Sequence, residues 1–378
     1  MKRYSKHFII LLAISFLLMG CSPKSESAPE TTKADLQMGQ TVEESNVEIE
    51  GNVYTYIKYC LESGGQIRVI SAKTEGDVLI IPSRIKGYPV RVVGGDYTDY
   101  TGEPYDVYRK EILPWQQSKE HKLKQIIVQE GVMTIHSNGF EGVLAKEIVL
   151  PESLDVIEYS AFAECNVERI KIKSKNVMLC ESAFEKAKVK EVHLPEQYSG
   201  IIRRRCFKKS TIEKFKWPKY EVSAEKKMGQ GVFFGCEKLR EVKFPENQDN
   251  IYIPDGTFTN CTSLKKLVFP ASTKKVTYKN NLYANNHKKG VETLVFEGTD
   301  TKVVGCKYKI KGEYNLITAK KIIAPKNSKA AVFAKTAKRI GKLKEWVIRD
   351  IEGGHLEDYT DILDYVTLNS LQYEERVK

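Results

Sequence analysis

One short pattern of apolar positions, L-x-x-[I/V/L/F]-x-[V/L/I/F/W], recurs ten times along the chain. The copies are Leu123/Ile126/Val128, Ala145/Ile148/Leu150, Val167/Ile170/Ile172, Val189/Val192/Leu194 and Ile212/Phe215/Trp217, followed by Leu239/Val242/Phe244, Leu264/Leu267/Phe269, Val291/Leu294/Phe296, Ala319/Ile322/Ala324 and Leu343/Trp346/Ile348. The position after each copy is Pro in six cases (Pro151, Pro195, Pro218, Pro245, Pro270 and Pro325), and successive closing positions lie 22 to 28 residues apart. A period of that length marks a solenoid in which each repeat is one coil. The last apolar positions alternate, as a short strand with one buried face requires. A large apolar side chain gains roughly 1.5–3 kcal/mol on full burial, whereas ordering a coil costs about 1–2 kcal/mol of backbone entropy per residue. No coil is therefore stable alone. Stacking supplies each one with a neighbour and pairs the strands in parallel. A closing Pro suits the end of such a strand, where its missing N–H removes no ladder bond.

A second anchor recurs between these strands: Phe140, Phe162, Phe184, Phe207, Phe233 and Phe258. The residue before each is mostly small (Gly139, Ala161, Ala183, Cys206, Val232, Thr257), and so is the residue three after it (Val143, Cys165, Ala187, Ser210, Cys236, Cys261). Large and small side chains at fixed offsets are what interdigitating layers need, so these positions are expected to form an inward wall opposite the strands.

The segments "IVLPESLDVIEYSAFAEC", "IPDGTFTNCTSLKKLVFP" and "VLIIPSRIKGYPVRVVG" resemble the BspA-like family of bacterial leucine-rich-repeat surface lipoproteins. The resemblance covers about residues 78–349 and is strongest through 123–270; Gln129, Lys173 and Glu297 depart from it where Pro is expected. It implies an α/β-type repeat solenoid with a stacked parallel β-sheet, capped at both ends. A right-handed parallel β-helix is the alternative, but the regular Phe turns match the leucine-rich pattern better. "APKNSKAAVFAK" is similar to the closing coil of such arrays.

Outside the repeats the pattern changes. Lys2, Arg3 and Lys6 precede a twelve-residue apolar run, Phe8 to Met19, that is shorter than the roughly 20 helical residues a bilayer needs. The following Leu18-Met19-Gly20-Cys21 is similar to a bacterial lipobox. Residues 1–20 are thus expected to be a signal peptide and Cys21 a lipidated N-terminus, since two acyl chains anchor stably; an ordinary secretory signal with a chance Cys is the alternative. The Ser/Thr/Glu/Pro-rich segment 21–47 reads as a flexible tether. Residues 48–93 read as a β-rich N-terminal cap or first coil, 94–120 as an irregular insertion or degenerate coil, and 121–349 as the solenoid. In 350–378, Leu356, Tyr359, Leu363, Val366 and Leu371 stand near helical spacing among acids, which suggests a helical C-terminal cap.

Charge adds a clue to partners. The chain carries a formal +11; removing residues 1–20 lowers this to +8, and eight acids against Arg376 and Lys378 in 350–378 leave the preceding body near +14. A basic body favours anionic partners. Export to the outer side of the cytoplasmic membrane or the cell surface argues against nucleic acid and leaves an extracellular protein or an anionic glycan or envelope polymer.

The six histidines (His7, His121, His136, His193, His287 and His355) show no metal-ligand spacing, and no nucleophile elbow or phosphate loop is present. No catalytic residue, metal or cofactor is expected. Of the eight cysteines, four (Cys165, Cys206, Cys236 and Cys261) occupy the small inward positions and read as buried hydrophobes; Cys236 and Cys261 form the one pair placed to bridge, and Cys180, in register with His136, Glu158 and Arg203, is expected to be an exposed free thiol.

The expected function is that of a lipid-anchored binding protein, an adhesin or receptor for a macromolecule, because a solenoid presents one extended sheet; the resemblance implies the same class. The outward position of each strand runs Ile127, Val149, Lys171, His193, Lys216, Lys243, Val268, Val295, Ile323 and Val347. At a strand spacing of about 4.8 Å the four central residues would form a basic row ~15 Å long, flanked by β-branched side chains. Arg169 and Lys214, two residues earlier, point the same way and would widen it. The plainer reading is that Lys keeps a solvated sheet face soluble.

Overall fold

The structure, a computed structural model, describes residues 36–95, 123–220, 227–278, 291–309, 313–317, 319–343 and 366–376. Parallel strands stack along the chain as the period requires. Val78–Ile81, Leu123–Val128, Leu144–Leu150, Asn166–Ile172 and Lys188–His193 form one five-stranded sheet in chain order. Lys214–Lys216 and Glu241–Lys243 form a pair, and Lys266–Phe269, Thr293–Phe296, Lys321–Ala324 and Gln372–Glu375 a further sheet. Register follows the repeat: Ile126, Ile148, Ile170 and Val192 stand across from one another. A slip of one residue would turn every one of these side chains to solvent, which is why the register holds. Through the ninth copy all the inward positions are buried except Leu194, which is partly buried.

A second line of short parallel strands closes the other side of each coil: Tyr88–Val93, Thr134–Ile135, Val156–Ile157 and Met178–Leu179, continued by isolated bridges at Ile202 and Met228. Between this line and the next main strand sits the Phe turn. The six Phe rings are buried and stacked face to face along the solenoid, with centroids 5.3, 5.1, 4.9, 5.3 and 5.9 Å apart and interplanar angles of 4° to 21°. A second aromatic row runs beneath the later strands: Trp217 is tilted against Phe244 at 5.3 Å and 52°, and Phe244, Phe269 and Phe296 stack at 4.9 and 5.0 Å.

Backbone hydrogen bonds tie the Phe stack together. Phe140 N donates to Ala161 O, Phe162 N to Ala183 O, Phe184 N to Cys206 O, Phe207 N to Val232 O and Phe233 N to Thr257 O, all at 2.7 to 3.1 Å. Each turn bends sharply because the residues two before and two after the Phe are left-handed. They are Asn138 and Gly142, Ser160 and Glu164, Ser182 and Lys186, Arg205 and Lys209, Gly231 and Gly235, and Gly256 and Asn260. Gly and Asn adopt that conformation readily, whereas a larger L-residue carries roughly 1–2 kcal/mol of strain there. The stacked ring and the inter-coil bonds hold the six larger residues in place.

The ends differ from expectation in three places. Thr41–Glu44, placed by sequence in the flexible tether, is a strand antiparallel to Tyr56–Glu62; Val42 packs on the core and Glu43 reaches Lys58 at 3.3 Å. Tyr56–Glu62 continues through Gln66–Lys73 to Tyr88–Val93, so an antiparallel cap feeds the parallel stack. At the other end the described part of the tail is strand, not helix. Val366–Ser370 pairs antiparallel with Lys338–Leu343, and Gln372–Glu375 lies parallel to Lys321–Ala324. In V-T-L-N-S-L-Q-Y the apolar residues alternate over Val366, Leu368, Leu371 and Tyr373, a period nearer two than 3.6, and that pattern prevailed. Leu356, Tyr359 and Leu363 lie outside the described residues, as do Trp346, Ile348 and most of 94–120. Gln372–Glu375 occupies the place next to the ninth copy that the tenth was expected to fill. Within "APKNSKAAVFAK" the chain forms a helix, Lys329–Thr336: Ser328 caps it, its Oγ accepting from Ala331 N, and Ala330, Ala331, Phe333 and Ala334 are buried.

The cysteines behave as packing residues. Cys165, Cys206, Cys236 and Cys261 are fully buried free thiols. The bridge between Cys236 and Cys261 does not form: Cys236 Sγ donates to Phe207 O at 2.9 Å and Cys261 Sγ to Phe233 O at 3.0 Å, each reaching back to the preceding coil. Burial pushes Cys165 and Cys236 up to about 12 and lifts Cys206 and Cys261 well above the usual thiol range. Cys180 stands beside Glu158 in the stack as expected, but is half-buried rather than exposed.

Two predictions follow from this packing. Phe162→Ala and Phe184→Ala should each destabilise the fold by roughly 3–5 kcal/mol, because a buried ring is replaced by a cavity within a stack. Chemical denaturation measures it, and midpoints unchanged from the parent would refute the stacked burial. Alkylation of the folded protein at pH 8, mapped by peptide mass spectrometry, should leave Cys165, Cys206, Cys236 and Cys261 unmodified until denaturant is added. Their modification at the rate of Cys180, or a Cys236–Cys261 crosslinked peptide, would overturn the assignment.

Candidate functional site

The strand alternation that buries Ile170, Val192, Phe215 and Val242 turns the next side chain on each strand outward. Lys171, His193, Lys216 and Lys243 are accordingly exposed. Ile127 and Val149 on one side, and Val268, Val295 and Ile323 on the other, are half-buried. Lys171 stands directly across from His193, and Lys216 from Lys243. The expected row is therefore present as two pairs. Between them the sheet is interrupted, since Lys188–His193 and Lys214–Lys216 are not in one sheet. The interruption falls where the inward closing residue changes from the partly buried Leu194 to the much larger Trp217. Bonds from Thr211 N to Ala187 O and Glu213 N to Lys190 O keep the coils stacked across it.

The four residues differ in how their charge is used. His193 Nε2 lies 2.9 Å from Glu191 Oε2, and that hydrogen bond holds the Glu191 carboxyl below the usual range. Lys216 Nζ reaches Glu196 only at 4.0 Å, with both side chains well exposed, a contact worth little. Lys171 and Lys243 make no ion pair with another described residue. The free positive charge of the row thus sits on Lys171, Lys216 and Lys243.

Arg169 and Lys214 do not widen it. The position they share alternates in sign from coil to coil: Glu147, Arg169, Glu191, then Lys214 and Glu241. Arg169 lies 3.3 Å from Glu147 and 3.9 Å from Glu191, and Lys214 lies 3.7 Å from Glu241. The ladder is close to neutral. The glutamates follow from the same offset that yields the row, one column away, and sequence reasoning missed them by reading only the basic members.

Cys21 lies outside the described residues. Among the described residues no group of three or more His, Cys, Asp or Glu converges as a metal site would require. No helix among them is long and apolar enough to cross a membrane.

A family model, the BspA type leucine rich repeat region with six copies, matches residues 117–224 and 180–289. A comparison with curated proteins returns no match. Among solved structures the chain is similar to the pneumococcal vaccine antigen PcpA, at 17% identity over 81% of this chain and 78% of that one with a TM-score of 0.43. It is similar to a leucine-rich repeat protein from Eubacterium ventriosum at 14% identity, covering 80% and 68% of the two chains with a TM-score of 0.37. A leucine-rich repeat protein from Bacteroides ovatus matches at 17% identity over 76% and 77%, with a TM-score of 0.31. With its parallel strands in register, its Phe turns stacked and its repeats matched in six copies, the stretch 117–289 of this chain is a BspA type leucine rich repeat region.

Proposed function

We propose that this protein is a cell-surface binding protein, an adhesin or receptor that engages a macromolecular partner through its exposed sheet face. BspA-type repeat proteins are binding proteins of the cell surface, which supports the class; the observation that supports the face is the exposed lysines Lys171, Lys216 and Lys243 between half-buried β-branched flanks. Among the described residues only Lys216 of the three has an ion pair, a long one to Glu196 at 4.0 Å. Apolar flanks supply contact area, and the lysines supply steering and register against an anionic partner. An extracellular protein with an acidic patch fits this surface. The second reading, an anionic glycan or polymer of the envelope, is favoured by the same lysines but leaves the flanks without a role.

Charge reversal separates the outcomes. Lys216→Glu with Lys243→Glu should weaken binding to host matrix proteins by about tenfold or more and flatten its salt dependence, since each exposed charge acts within a Debye length of ~10 Å. Melting should be unchanged. Undiminished binding would remove the face from the proposal, and loss confined to purified wall polymers would favour the second reading.

The reading includes attachment to the membrane through a lipid on Cys21, supported by the positively charged start, the short apolar run and Leu18-Met19-Gly20-Cys21. A fatty-acid probe fed to expressing cells should label the parent and not Cys21→Ala; equal labelling of both would end that part of the proposal.

A further inference from the structure

The Phe-turn side of the solenoid carries a second concentration of charge, separate from the sheet face. One coil, "RRRCFKK", bears Arg203, Arg204, Arg205, Lys208 and Lys209 around its buried Phe207. The preceding coil is acidic at two of the matching positions, the others being Cys180, Ser182 and Lys186, and it satisfies two of the five: Arg204 Nη2 lies 2.9 Å from Glu181 Oε1, and Lys208 Nζ 2.9 Å from Glu185 Oε1. Lys208 offsets burial strongly enough to hold the Glu185 carboxyl below its usual range. Arg203, Arg205 and Lys209 make no ion pair with another described residue. Arg203 and Lys209 are exposed and Arg205 half-buried.

The following coil places no carboxylate at the positions matching these three cations. At the positions matching Arg203, Arg205 and Lys209 it has Gly229, Gly231 and Gly235. The coils approach so closely there that a Cβ on Gly229 would stand 2.4 Å from Arg204 N and 2.6 Å from Arg203 C. A Cβ on Gly235 would stand 3.0 Å from Lys209 Cγ. The result is a low strip beside three cations, half-buried at Gly229 and Gly235 and buried at Gly231, with the exposed Gln230 and the half-buried Phe234 between the glycines. Arg205 and Lys209 also occupy the two left-handed positions of their turn, at φ 55° and 57°, where three other coils use Gly or Asn at the matching place. Bulky cations are held there at the expense of some strain, and strain at a surface feature points to use.

We propose that Arg203, Arg205 and Lys209 form a binding site for a linear polyanion bearing closely spaced sulfate or phosphate groups. Guanidinium groups pair bidentately with such tetrahedral oxyanions. A polymer chain can lie on the glycine strip with its charges toward the cations. A protein partner fits this surface less well, because a protein interface needs buried aromatic or aliphatic anchors, and the exposed side chains around the strip are charged or amide, with Phe234 half-buried. The site does not depend on the sheet-face reading.

The test uses the whole chain, heparin as a sulfated polysaccharide, long-chain polyphosphate and neutral dextran, each titrated at several salt concentrations. The variant is Arg203→Gln, Arg205→Asn, Lys209→Gly; Asn and Gly already stand at the two left-handed positions in other coils, so the turn is preserved. The parent should bind at least one of the two polyanions and not dextran. The triple variant should bind about tenfold or more weakly, with a log–log salt slope shallower by about three, roughly one per cation removed. Arg203→Gln alone, which touches no left-handed position, should give a partial loss and keeps the test valid if the triple variant unfolds. Preference for heparin or for polyphosphate identifies the anionic group as sulfate or phosphate. Lys216→Glu with Lys243→Glu should leave this binding in place. The proposal is overturned if the parent binds neither polyanion, if Arg203→Gln and the triple variant bind as the parent does, or if the sheet-face variant alone abolishes binding.

Discussion

Everything in this solenoid depends on keeping adjacent coils in register, and the Phe turn does most to enforce it. From Phe140 to Phe233, each Phe N–H donates to a carbonyl in the next coil while its ring stacks on the Phe ring of that coil. The same few atoms therefore carry a directional bond and a dispersion contact, and both fail together if a coil shifts. Offset aromatic pairs contribute roughly 0.5–1.5 kcal/mol beyond the area they bury. The main strands alone would specify register less firmly, because several are only three or four residues long.

That lock explains what else the chain tolerates. Coil length varies between the strands, Pro gives way to Gln129, Lys173 and Glu297, and the sheet is interrupted on both sides of the pair Lys214–Lys216 and Glu241–Lys243. The Phe stack is continuous across the first interruption, with Phe184, Phe207 and Phe233 at 4.9 and 5.3 Å. Core aromatic residues also compensate: where Leu194 gives way to Trp217, a second aromatic row begins, tilted at Trp217–Phe244 and stacked from Phe244 through Phe296. The interior changes its means of packing partway along while the outward geometry persists.

Much of this was legible in the sequence because it resides in offsets. The inward strand residues, the six Phe anchors and the small residues around them follow from a period, and through the ninth copy all but the partly buried Leu194 are buried as a period of coils demands. Less legible were features that depend on which elements meet. Nothing local to Gln372–Glu375 says that it completes a sheet with Lys321–Ala324, and the acids around Leu356 and Leu363 suggested a helix whose pattern does not extend into Val366–Ser370. The outward lysines were visible as a column, but the worth of Arg169 and Lys214 turned on Glu147, Glu191 and Glu241 beside them. A column of charges has to be read across strands as well as along it. The cysteine pair shows the same limit, since stacked positions bring Cys236 and Cys261 near one another while carbonyls of the preceding coils take up both thiols.

The separation of stability from surface has a functional consequence. The coil repeats its interior and is free to vary outside it, so charge can be distributed coil by coil without disturbing register. This chain uses that freedom unevenly. On the sheet face most charges alternate in sign and cancel, leaving Lys171, Lys216 and Lys243 uncompensated. On the turn side acids and bases occupy neighbouring coils, and the glycines after them leave Arg203, Arg205 and Lys209 without a counter-charge at the matching positions. A net positive chain could have scattered its excess evenly over the surface. Here the excess at these two places follows the columns of the repeat, so the two proposed binding surfaces are set by which column is left unbalanced.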